Sequence, residues 1–458
     1  MGRLFGTDGV RGVANVDLTP ELALGLARAA AVRAKRRGAR PAFLVGRDTR
    51  VSGQLLEAAV VAGLCAEGAG AIVGGVMPTP AVAYLVGSLG LDGGIVVSAS
   101  HNTYEYNGLK FFGPGGDKLT EEAEAEIESL LEVGMGGGDR RSIGRVAARN
   151  GVLEAYMAGV ARPMRGRLKG LRLVVDCAHG ALCELAPAAL SEMGAEVVAI
   201  NCAPNGLNIN EGGAVRPQQL GEAVQEHAAD VGLAFDGDGD RIALADETGG
   251  LVDGDQALAI LASDMAPRGA LANGVVVGTV ISNGGLEESL RSLGCRLLRT
   301  AVGDRFVAAE MQRAGAVLGG ETCGHLIFAR HLSSADGLYA GAHVLEIMAR
   351  SGERLSSLAA VMEKRAQCSR NVKVNGSRDF EATLAWEADD AIRKAVEQAR
   401  CDLGENGWLV VRASGTEPLI RVTAECEDED KARQVVAAVA QVVEERLAGR
   451  EAPVDIAA

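Results

Sequence analysis

Three stretches of the chain share one pattern of hydrophobic and polar positions. In each, a short apolar run leads through a polar or glycine-containing turn into a helical stretch, and a glycine then precedes a second apolar run. The first runs are Phe43-Leu44-Val45, Leu173-Val174-Val175 and Val275-Val276-Val277, and the second runs are Ala71-Ile72-Val73, Glu196-Val197-Val198 and Arg296-Leu297-Leu298. Short β-branched runs that alternate with helices favour parallel sheets. The pattern predicts an α/β fold with three similar βαβ-type domains and mainly parallel sheets.

The C-terminal part of the chain has a different pattern. Its apolar runs are separated by few residues, which favours antiparallel strands. The strand-forming runs are Val372-Lys373-Val374, Trp408-Leu409-Val410-Val411 and Ile420-Arg421-Val422-Thr423, and the helical stretches run from about Ala385 to Ala399 and from Asp430 to Leu447. We therefore expect a smaller α+β domain at this end. Boundaries near residues 150, 255 and 368 divide the chain into domains at 1–150, 151–255, 256–368 and 369–448.

Composition and charge narrow the class of protein. Of 458 residues, 48% are hydrophobic, and 46 basic against 60 acidic side chains give a net charge of −14. A globular chain this acidic is a poor binder of nucleic acid, which is held mainly by clustered lysine and arginine. The most apolar stretch, residues 58–77, is interrupted by Glu67 and five glycines, so we expect no membrane span. The nine cysteines include no C-x-x-C pair, and Met1 to Gly12 contain no apolar run, which predicts reduced thiols and a cytoplasmic protein.

An acidic loop follows an apolar run near the middle of the chain. Asp236, Asp238 and Asp240 alternate with two glycines, directly after the run Val231 to Phe235. Three carboxylates this close repel one another unless a cation collects them, and glycine lets the backbone aim all three at one point. Oxygen ligands of this kind suit Mg²⁺ or another hard ion.

Two other interpretations of the acidic loop remain open. In an EF-hand that begins at Asp236, Glu247 would fall at loop position 12, but Arg241 stands at position 6, where that loop needs glycine. The residues beyond Arg241 also have the pattern of a strand, which an EF-hand does not have there. The second alternative is an acidic turn that binds no ion.

A serine and a histidine stand together at the end of a predicted strand. Ser100 and His101 follow the run Val96-Val97 and precede Asn107-Gly108-Leu109-Lys110. In open α/β sheets, ligands usually bind at the carboxyl ends of the strands. The chain has no G-x-S-x-G sequence here, which disfavours a hydrolase, whereas a serine beside a carboxylate-bound cation suits phosphoryl transfer. Taken alone, the Ser-His pair is also compatible with a structural turn.

Two further loops carry polar groups at strand ends. The first is Arg412-Ala413-Ser414-Gly415-Thr416-Glu417-Pro418, with Arg421 just beyond it. Hydroxyl groups, a close backbone approach at glycine and two guanidinium groups are typical of a phosphate pocket. The second is Gly319-Gly320-Glu321-Thr322-Cys323-Gly324-His325, where the Glu321 carboxylate could accept hydrogen bonds from neutral hydroxyl groups. Each loop alone is also compatible with an ordinary turn.

Together, the four loops resemble the α-D-phosphohexomutase superfamily, in order and over almost the whole chain. The opening segment Phe5-Gly6-Thr7-Asp8-Gly9-Val10-Arg11-Gly12 and the Asp304-Arg305 pair are most similar to its bacterial phosphoglucosamine mutase branch. Members of the superfamily move a phosphoryl group between the 1- and 6-positions of a sugar. The resemblance implies four domains around a central cleft, each of which contributes one loop.

The resemblance also assigns roles to individual residues. It implies that Ser100 carries the phosphoryl group and, with Asp236, Asp238 and Asp240, binds Mg²⁺. Arg11, Lys110 and His101 would complete the catalytic group, with Lys110 as the general acid/base. The substrate-binding residues would be Arg241 beside the phosphoserine, Glu321, Cys323 and His325 at the sugar hydroxyls, and Arg412, Ser414, Gly415, Thr416 and Arg421 at the phosphate that is not transferred.

The activity implied is the interconversion of glucosamine 6-phosphate and glucosamine 1-phosphate through a phosphoserine and a bound 1,6-bisphosphate. Glucosamine or glucose 1,6-bisphosphate would prime the enzyme by phosphorylating Ser100. The partner would be a small-molecule sugar phosphate, and a homodimer is among the oligomeric states left open. A phosphomannomutase, a phosphoglucomutase and a noncatalytic sugar-phosphate sensor are the alternatives.

Three residues depart from the family pattern. Thr103 stands where a proline commonly follows Ser-His-Asn, which predicts a less rigid loop. Cys323 replaces the usual serine, and a thiol is a weaker donor and acceptor than a hydroxyl group. Ala413 lacks the long basic side chain often found after Arg412. These departures affect the expected substrate preference and rate more than the expected type of reaction.

Overall fold

The structure is a computed structural model that describes residues 4–6, 8–36, 40–133, 142–148, 151–374, 385–404, 407–413 and 419–447. The chain divides into two compact units. One consists of Met1–Thr279 with Leu290–Val361, and the other of Val280–Ser289 with Met362–Ala458. Among the described residues, no helix has both the length and the apolar character that crossing a membrane requires.

The first sheet has six strands with four helices around it. The strands are β1 (Val10–Val13), β2 (Ala42–Arg47), β3 (Gly70–Val76), β4 (Gly93–Val97), β5 (Tyr106–Phe112) and β6 (Val146–Ala148), and the helices are α1 (Pro20–Lys35), α2 (Gly53–Ala66), α3 (Thr79–Ser88) and α4 (Glu121–Val133). The order is β1-β5-β4-β2-β3-β6. Strands β4, β2, β3 and β6 are parallel, whereas β5 is antiparallel to both of its neighbours. Every residue of β4 is buried, as its apolar, β-branched sequence predicts.

The second sheet has five strands. They are β7 (Arg172–Asp176), β8 (Glu196–Ile200), β9 (Val231–Phe235), β10 (Ile242–Ala245) and β11 (Leu251–Val252), and the helices of this segment are α5 (Val152–Val160), α6 (Leu185–Glu192) and α7 (Gln218–Glu226). The order is β11-β10-β9-β7-β8, with β8, β7 and β9 parallel and β10 returning antiparallel to β9. The turn from β9 to β10 contains the acidic loop. Because β10 is a strand, an EF-hand helix is absent at this position.

The third sheet has four strands. They are β12 (Val275–Thr279), β13 (Arg296–Thr300), β14 (Leu318–Gly320) and β15 (Leu326–Phe328), and the helices of this stretch of the chain are α8 (Gly254–Met265), α9 (Gly284–Ser292), α10 (Asp304–Ala314), α11 (Gly337–Ser351) and α12 (Leu355–Ala359). The first part of α9 belongs to the other compact unit. Strands β13, β12 and β14 are parallel, and β15 pairs antiparallel with β14. Helix α8 begins at a capping box, in which the Asp253 side chain accepts from the Gln256 backbone and the Gln256 side chain accepts from Asp253.

The fourth sheet is antiparallel throughout. Its strands are β16 (Ala366–Lys373), β17 (Trp408–Ala413) and β18 (Leu419–Cys426) in the order β16-β18-β17, and its helices are α13 (Asp390–Leu403) and α14 (Glu429–Leu447). Helix α14 buries an apolar stripe at helical spacing: Ala432, Val435, Val436, Val439, Ala440, Val443 and Leu447. The structure confirms three α/β sheets with mainly parallel strands and a smaller antiparallel α+β segment. The domain boundaries near residues 150, 255 and 368 stay predictions.

One element of the C-terminal segment differs from the expected pattern. The stretch from Ala385 to Ala399 was expected to be one helix, but a 3-10 helix covers Ala385–Ala388 and α13 begins only at Asp390. The cause is Asp389, whose side chain accepts hydrogen bonds from Ala391 and Ile392 and so caps a new helix. Three other 3-10 helices cover Arg162–Met164, Gly213–Val215 and Ala272–Gly274.

Candidate active site

Ser100 lies just beyond the carboxyl end of β4, in a segment that we call the serine loop (residues 98–102). Its φ of 51° places it in the left-handed region, and it is buried. The hydroxyl group of Ser98 accepts a hydrogen bond from the Ser100 N–H at 3.0 Å and donates to the Asp48 carboxylate at 2.6 Å. These bonds stabilise a conformation that non-glycine residues rarely adopt.

The guanidinium group of Arg50 holds the backbone of the serine loop. It is 1% exposed and donates hydrogen bonds to the carbonyl oxygens of Ser100 and Asn102, both at 2.9 Å. It also donates to the Tyr106 carbonyl oxygen at 3.0 Å and, from Nε, to the Asp48 carboxylate at 2.8 Å. A rigid fork of five N–H donors suits such a set of acceptors. Arg50 therefore fixes the loop that presents Ser100.

We predict that replacing Arg50 with alanine lowers the free energy of unfolding by about 3 to 5 kcal/mol, because the buried Asp48 charge would lose its cationic partner and several buried carbonyl oxygens would each lose a donor. Urea unfolding of the variant measures this change. The matched control is Arg268→Ala, which removes an ion pair with Asp264 from a side chain that is 56% exposed and should cost less than about 1 kcal/mol. Equal losses in the two variants would contradict the role assigned to Arg50.

The acidic loop (residues 236–241) meets the serine loop directly. The Ser100 hydroxyl group donates a hydrogen bond to Asp236 Oδ2 at 2.7 Å. The carboxylate oxygens of Asp236, Asp238 and Asp240 lie within 4.8 Å of one another, and all three side chains are buried. Glycine at 237 permits this approach, because a Cβ there would lie 2.8 Å from the Ser100 carbonyl oxygen. The hydroxyl group and the three carboxylates thus share one small, buried space.

The electrostatics of this space favour a cation. Burial and the neighbouring charges of Asp240 and Asp238 together raise the pKa of Asp236 to about 7, against the opposing effects of Arg241 and the Ser100 hydrogen bond. Asp238 Oδ1 is buried and, within the described part of the chain, has no hydrogen-bond partner. An oxygen-only donor set with surplus negative charge fits Mg²⁺ or a similar hard ion. The residues that would hold the ion are Asp236, Asp238, Asp240 and Ser100.

Lys110, on β5, contributes positive charge to the same cluster. Its Nζ lies 2.8 Å from Asp238 Oδ2, 3.1 Å from Asp240 Oδ2 and 2.8 Å from Asp8 Oδ2. Burial alone would lower the pKa of Lys110, but the three carboxylates raise it well above its ordinary value. Arg11 pairs with the same Asp8 carboxylate, at 2.5 Å from Nη2 to Oδ2. Lys110 is therefore an ammonium ion held between the first and second sheets.

Buried nitrogen atoms beside the cluster that lack hydrogen-bond partners among the described residues include Arg11 Nε, Arg241 Nε and His101 Nδ1. Burial and the nearby charges of Arg241 and Arg11 together lower the pKa of His101 to about 2, although Asp240 acts in the opposite direction. His101 is therefore neutral. Arg241 is anchored by its backbone N–H, which donates to Asp236 Oδ1 at 3.2 Å. Unpaired buried donors of this kind suit an anion such as a phosphoryl group.

The segment after β14, which we call the glutamate loop (residues 321–325), joins the acidic loop through His325. His325 Nε2 lies 2.9 Å from Asp240 Oδ1, and Nδ1 lies 3.3 Å from Glu321 Oε2. Burial would lower the pKa of His325, but Asp240 and Glu321 raise it well above its ordinary value. The backbone N–H of Gly303 donates to Glu321 Oε1 at 2.9 Å, and Cys323 is exposed. Asp240 thus links three sheets of the larger unit.

Of the residues expected to bind the phosphate that is not transferred, the structure describes only two. Arg412 on β17 and Arg421 on β18 are directly opposite each other in the antiparallel pair. The two arginine side chains therefore start from adjacent positions on neighbouring strands of one sheet. Ser414, Gly415 and Thr416 lie outside the described residues.

The sequence analysis missed several residues that shape the site. Asp8 was quoted within the opening segment but received no role, although it binds Lys110 and Arg11. Thr79 donates a hydrogen bond to Asp238, and Asn210 Nδ2 donates to the Ser100 carbonyl oxygen at 2.8 Å. Arg50 lies in the polar turn after β2, and this turn was the one feature of the sequence that could have indicated a role for it. No pattern in the sequence pairs Thr79 or Asn210 with loops more than 100 positions away.

Known proteins and protein families are similar to this chain over nearly its whole length. Four models of phosphoglucomutase/phosphomannomutase domains match it: alpha/beta/alpha domain I at residues 2–135, domain II at 154–250, domain III at 253–365 and the C-terminal domain at 370–442. The phosphoglucosamine mutase of Mycobacterium tuberculosis is 48% identical over 450 residues, which cover 97% of this chain and 99% of that protein.

Solved structures of other proteins share the fold. A phosphoglucomutase/phosphomannomutase family protein from Burkholderia thailandensis has a TM-score of 0.80 at 24% identity, covering 98% of this chain and 99% of that one. The N-acetylphosphoglucosamine mutase of Aspergillus fumigatus, solved in complex with GlcNAc-6P and magnesium, has a TM-score of 0.68 at 19% identity and covers 98% of this chain and 96% of that one.

Proposed function

Because the chain belongs to the phosphoglucomutase/phosphomannomutase family, we propose that it is an isomerase that interconverts glucosamine 6-phosphate and glucosamine 1-phosphate. The observation that carries the proposal is the 2.7 Å contact between the Ser100 hydroxyl group and Asp236, inside a buried group of carboxylates. The full-length similarity to a mycobacterial phosphoglucosamine mutase supports glucosamine as the sugar.

Ser100 would carry the phosphoryl group between the two ends of the sugar. In the forward step, the free sugar hydroxyl oxygen forms a bond to phosphorus while the bond from phosphorus to Ser100 Oγ breaks. The bisphosphate then turns around, and its other phosphoryl group returns to Ser100. A bound Mg²⁺ would offset the negative charge that develops on the phosphoryl oxygens. Arg11, Arg241 and His101 would donate hydrogen bonds to these oxygens or orient them.

Lys110 would move the proton that this exchange requires. Lys110 is protonated among its three carboxylate partners and would donate a proton to Ser100 Oγ as the phosphoryl group leaves. The proton released by the sugar hydroxyl group then restores the ammonium. Asp8 would keep Lys110 and Arg11 in place.

The remaining candidates would bind the parts of the substrate that do not react. Glu321, Cys323 and His325 would contact the sugar hydroxyls or amine. Arg412 and Arg421, with Ser414, Gly415 and Thr416, would hold the phosphate that is not transferred, because two neighbouring guanidinium groups suit bidentate phosphate binding. Such a pocket must accept either end of the sugar.

The proposal also covers how Ser100 is first phosphorylated, where in the cell the protein acts and which oligomer it forms. Glucosamine or glucose 1,6-bisphosphate would phosphorylate Ser100 and convert the resting enzyme to its active form. Nine unpaired thiols are compatible with the reduced conditions of the cytoplasm, which is the proposed location. A homodimer remains a hypothesis that the oligomeric mass in solution would test.

A substrate comparison tests the choice of sugar. We predict that kcat/KM for glucosamine 1-phosphate exceeds that for glucose 1-phosphate and mannose 1-phosphate by about tenfold or more, since one misplaced polar group in a fitted pocket costs at least that much. The assay uses the purified chain primed with glucose 1,6-bisphosphate in Mg²⁺. Equal or faster turnover of the mannose or glucose compound would assign the chain to another activity of the same family. No turnover of any sugar phosphate by the primed protein would favour a noncatalytic sensor.

A further inference from the structure

The glutamate loop carries a second group of potential metal ligands. A carboxylate oxygen of Glu321, the Sγ of Cys323 and a ring nitrogen of His325 all lie within 4.8 Å of one another. This set of oxygen, sulfur and nitrogen differs from the oxygen-only set of the acidic loop. Zn²⁺ and similar borderline cations take thiolate, imidazole and carboxylate ligands together, whereas Mg²⁺ prefers oxygen.

The surroundings orient two of these ligands as a metal site requires. Asp240 Oδ1 lies 2.9 Å from His325 Nε2, and Nδ1 is hydrogen-bonded to Glu321 Oε2 at 3.3 Å, so a metal between these two atoms would replace that hydrogen bond. A carboxylate on one ring nitrogen that frees the other for a metal is a common arrangement around protein-bound zinc. The Gly303 N–H binds Glu321 Oε1 at 2.9 Å and so leaves Oε2 on the side of His325.

The backbone fixes the spacing of the three ligands. Gly324 has a φ of 89°, and a Cβ at this position would lie 1.8 Å from the Ile242 carbonyl oxygen, so only glycine fits the turn. Thr322 Oγ1 donates to Asp255 Oδ2 at 2.7 Å, which ties the loop to α8. The Cys323 side chain is exposed and can be reached from solvent.

We propose that Glu321, Cys323 and His325 form a second cation site that takes zinc or a chemically similar transition metal, separate from the aspartate site. Binding forms bonds from the metal to Cys323 Sγ, His325 Nδ1 and Glu321 Oε2, and it releases to solvent both the thiol proton and the proton on His325 Nδ1, with water completing the coordination. The occupied site would also prevent Glu321 from accepting hydrogen bonds from a sugar. This second consequence rests on the proposed function, whereas the binding itself does not.

Cobalt(II) is the probe for the experiment, because it binds where zinc binds and reports thiolate ligation by an absorption band. The full-length protein is titrated with Co²⁺ in a large excess of Mg²⁺, which keeps the aspartate site filled. We expect one equivalent of Co²⁺ to produce a sulfur-to-cobalt charge-transfer band that Zn²⁺ abolishes. Cys323→Ser should lose the band and bind Zn²⁺ more than about 100-fold more weakly, while the matched control Cys401→Ser, at another exposed thiol, should keep both properties.

Two further measurements of Co²⁺ binding show which residues hold the metal and whether the metal competes with the sugar. An Asp238→Asn protein should keep the charge-transfer band, and glucosamine 6-phosphate should weaken Co²⁺ binding to the wild type. A band that survives in Cys323→Ser, or that disappears in Asp238→Asn, would overturn the proposal. If the affinity for Co²⁺ does not change when glucosamine 6-phosphate is added, only the proposed link to sugar binding is overturned, and the metal site itself stands. A wild-type protein that shows the band but interconverts no sugar phosphate would count against the proposed function and not against the metal site.

Discussion

Replacing Ser100 with alanine should lower mutase turnover by on the order of 10⁴-fold or more, because the variant has no oxygen to carry the phosphoryl group. The nearest hydroxyl group in the loop, on Ser98, cannot substitute for it, since it is bonded to Asp48 and to the backbone of residue 100. The fold should survive, because the Ser100 side chain makes one hydrogen bond, to Asp236. The measurement is kcat for glucosamine 6-phosphate with saturating glucose 1,6-bisphosphate.

The matched control for this variant is Ser88→Ala. Ser88 is the last residue of α3 and is exposed, so its loss should leave kcat within about twofold of the wild type. A circular dichroism spectrum and a thermal unfolding curve check that both variants are folded. A Ser100→Ala protein that turns over at the control rate would remove Ser100 from the reaction.

Replacing Asp238 with asparagine should lower kcat by on the order of 10²-fold and raise the Mg²⁺ concentration for half-maximal activity by about 10- to 100-fold. Asparagine has the size of aspartate but removes one of three buried charges that face the proposed ion. The same change removes one of the carboxylates that hold Lys110, so the rate should remain low even at saturating Mg²⁺. Activity as a function of Mg²⁺, after EDTA treatment and dialysis, measures both effects.

Asp402→Asn is the control for the metal experiment. Asp402 is an exposed residue of α13, and its replacement should change neither kcat nor the Mg²⁺ requirement. If Asp238→Asn retains the wild-type Mg²⁺ dependence, the ion binds elsewhere and the acidic loop has another role.

The sequence predicted the parts of the site that lie within one loop. Aspartates that alternate with glycine between two apolar runs indicate a turn at a strand end, and three close carboxylates indicate a cation. The same reasoning put Ser100 at the end of a buried strand. In both cases the chemistry depends on neighbours a few positions apart, and these are visible in the sequence.

The sequence did not predict contacts that depend on the packing of one sheet against another. The partners of Arg50 are mainly backbone carbonyl oxygens, and every residue type carries these, so no sequence pattern marks them. Asp240 contacts both Lys110 and His325, which come from different sheets and lie 130 and 85 positions away. Such pairs arise only when all three α/β sheets are assembled. The late start of α13 has a local cause, because the capping side chain of Asp389 outweighed the continuous helical pattern around it.

The central claim is that Ser100 stores the phosphoryl group between the two halves of the reaction. Mass spectrometry of the full-length protein tests it most directly, after incubation with glucose 1,6-bisphosphate and Mg²⁺ and again after glucosamine 6-phosphate is added. The account predicts that one phosphoryl group is gained, that it is located on the peptide containing Ser100, and that it is lost to the added sugar. A protein that isomerises the sugar phosphate while Ser100 is never phosphorylated would contradict the account.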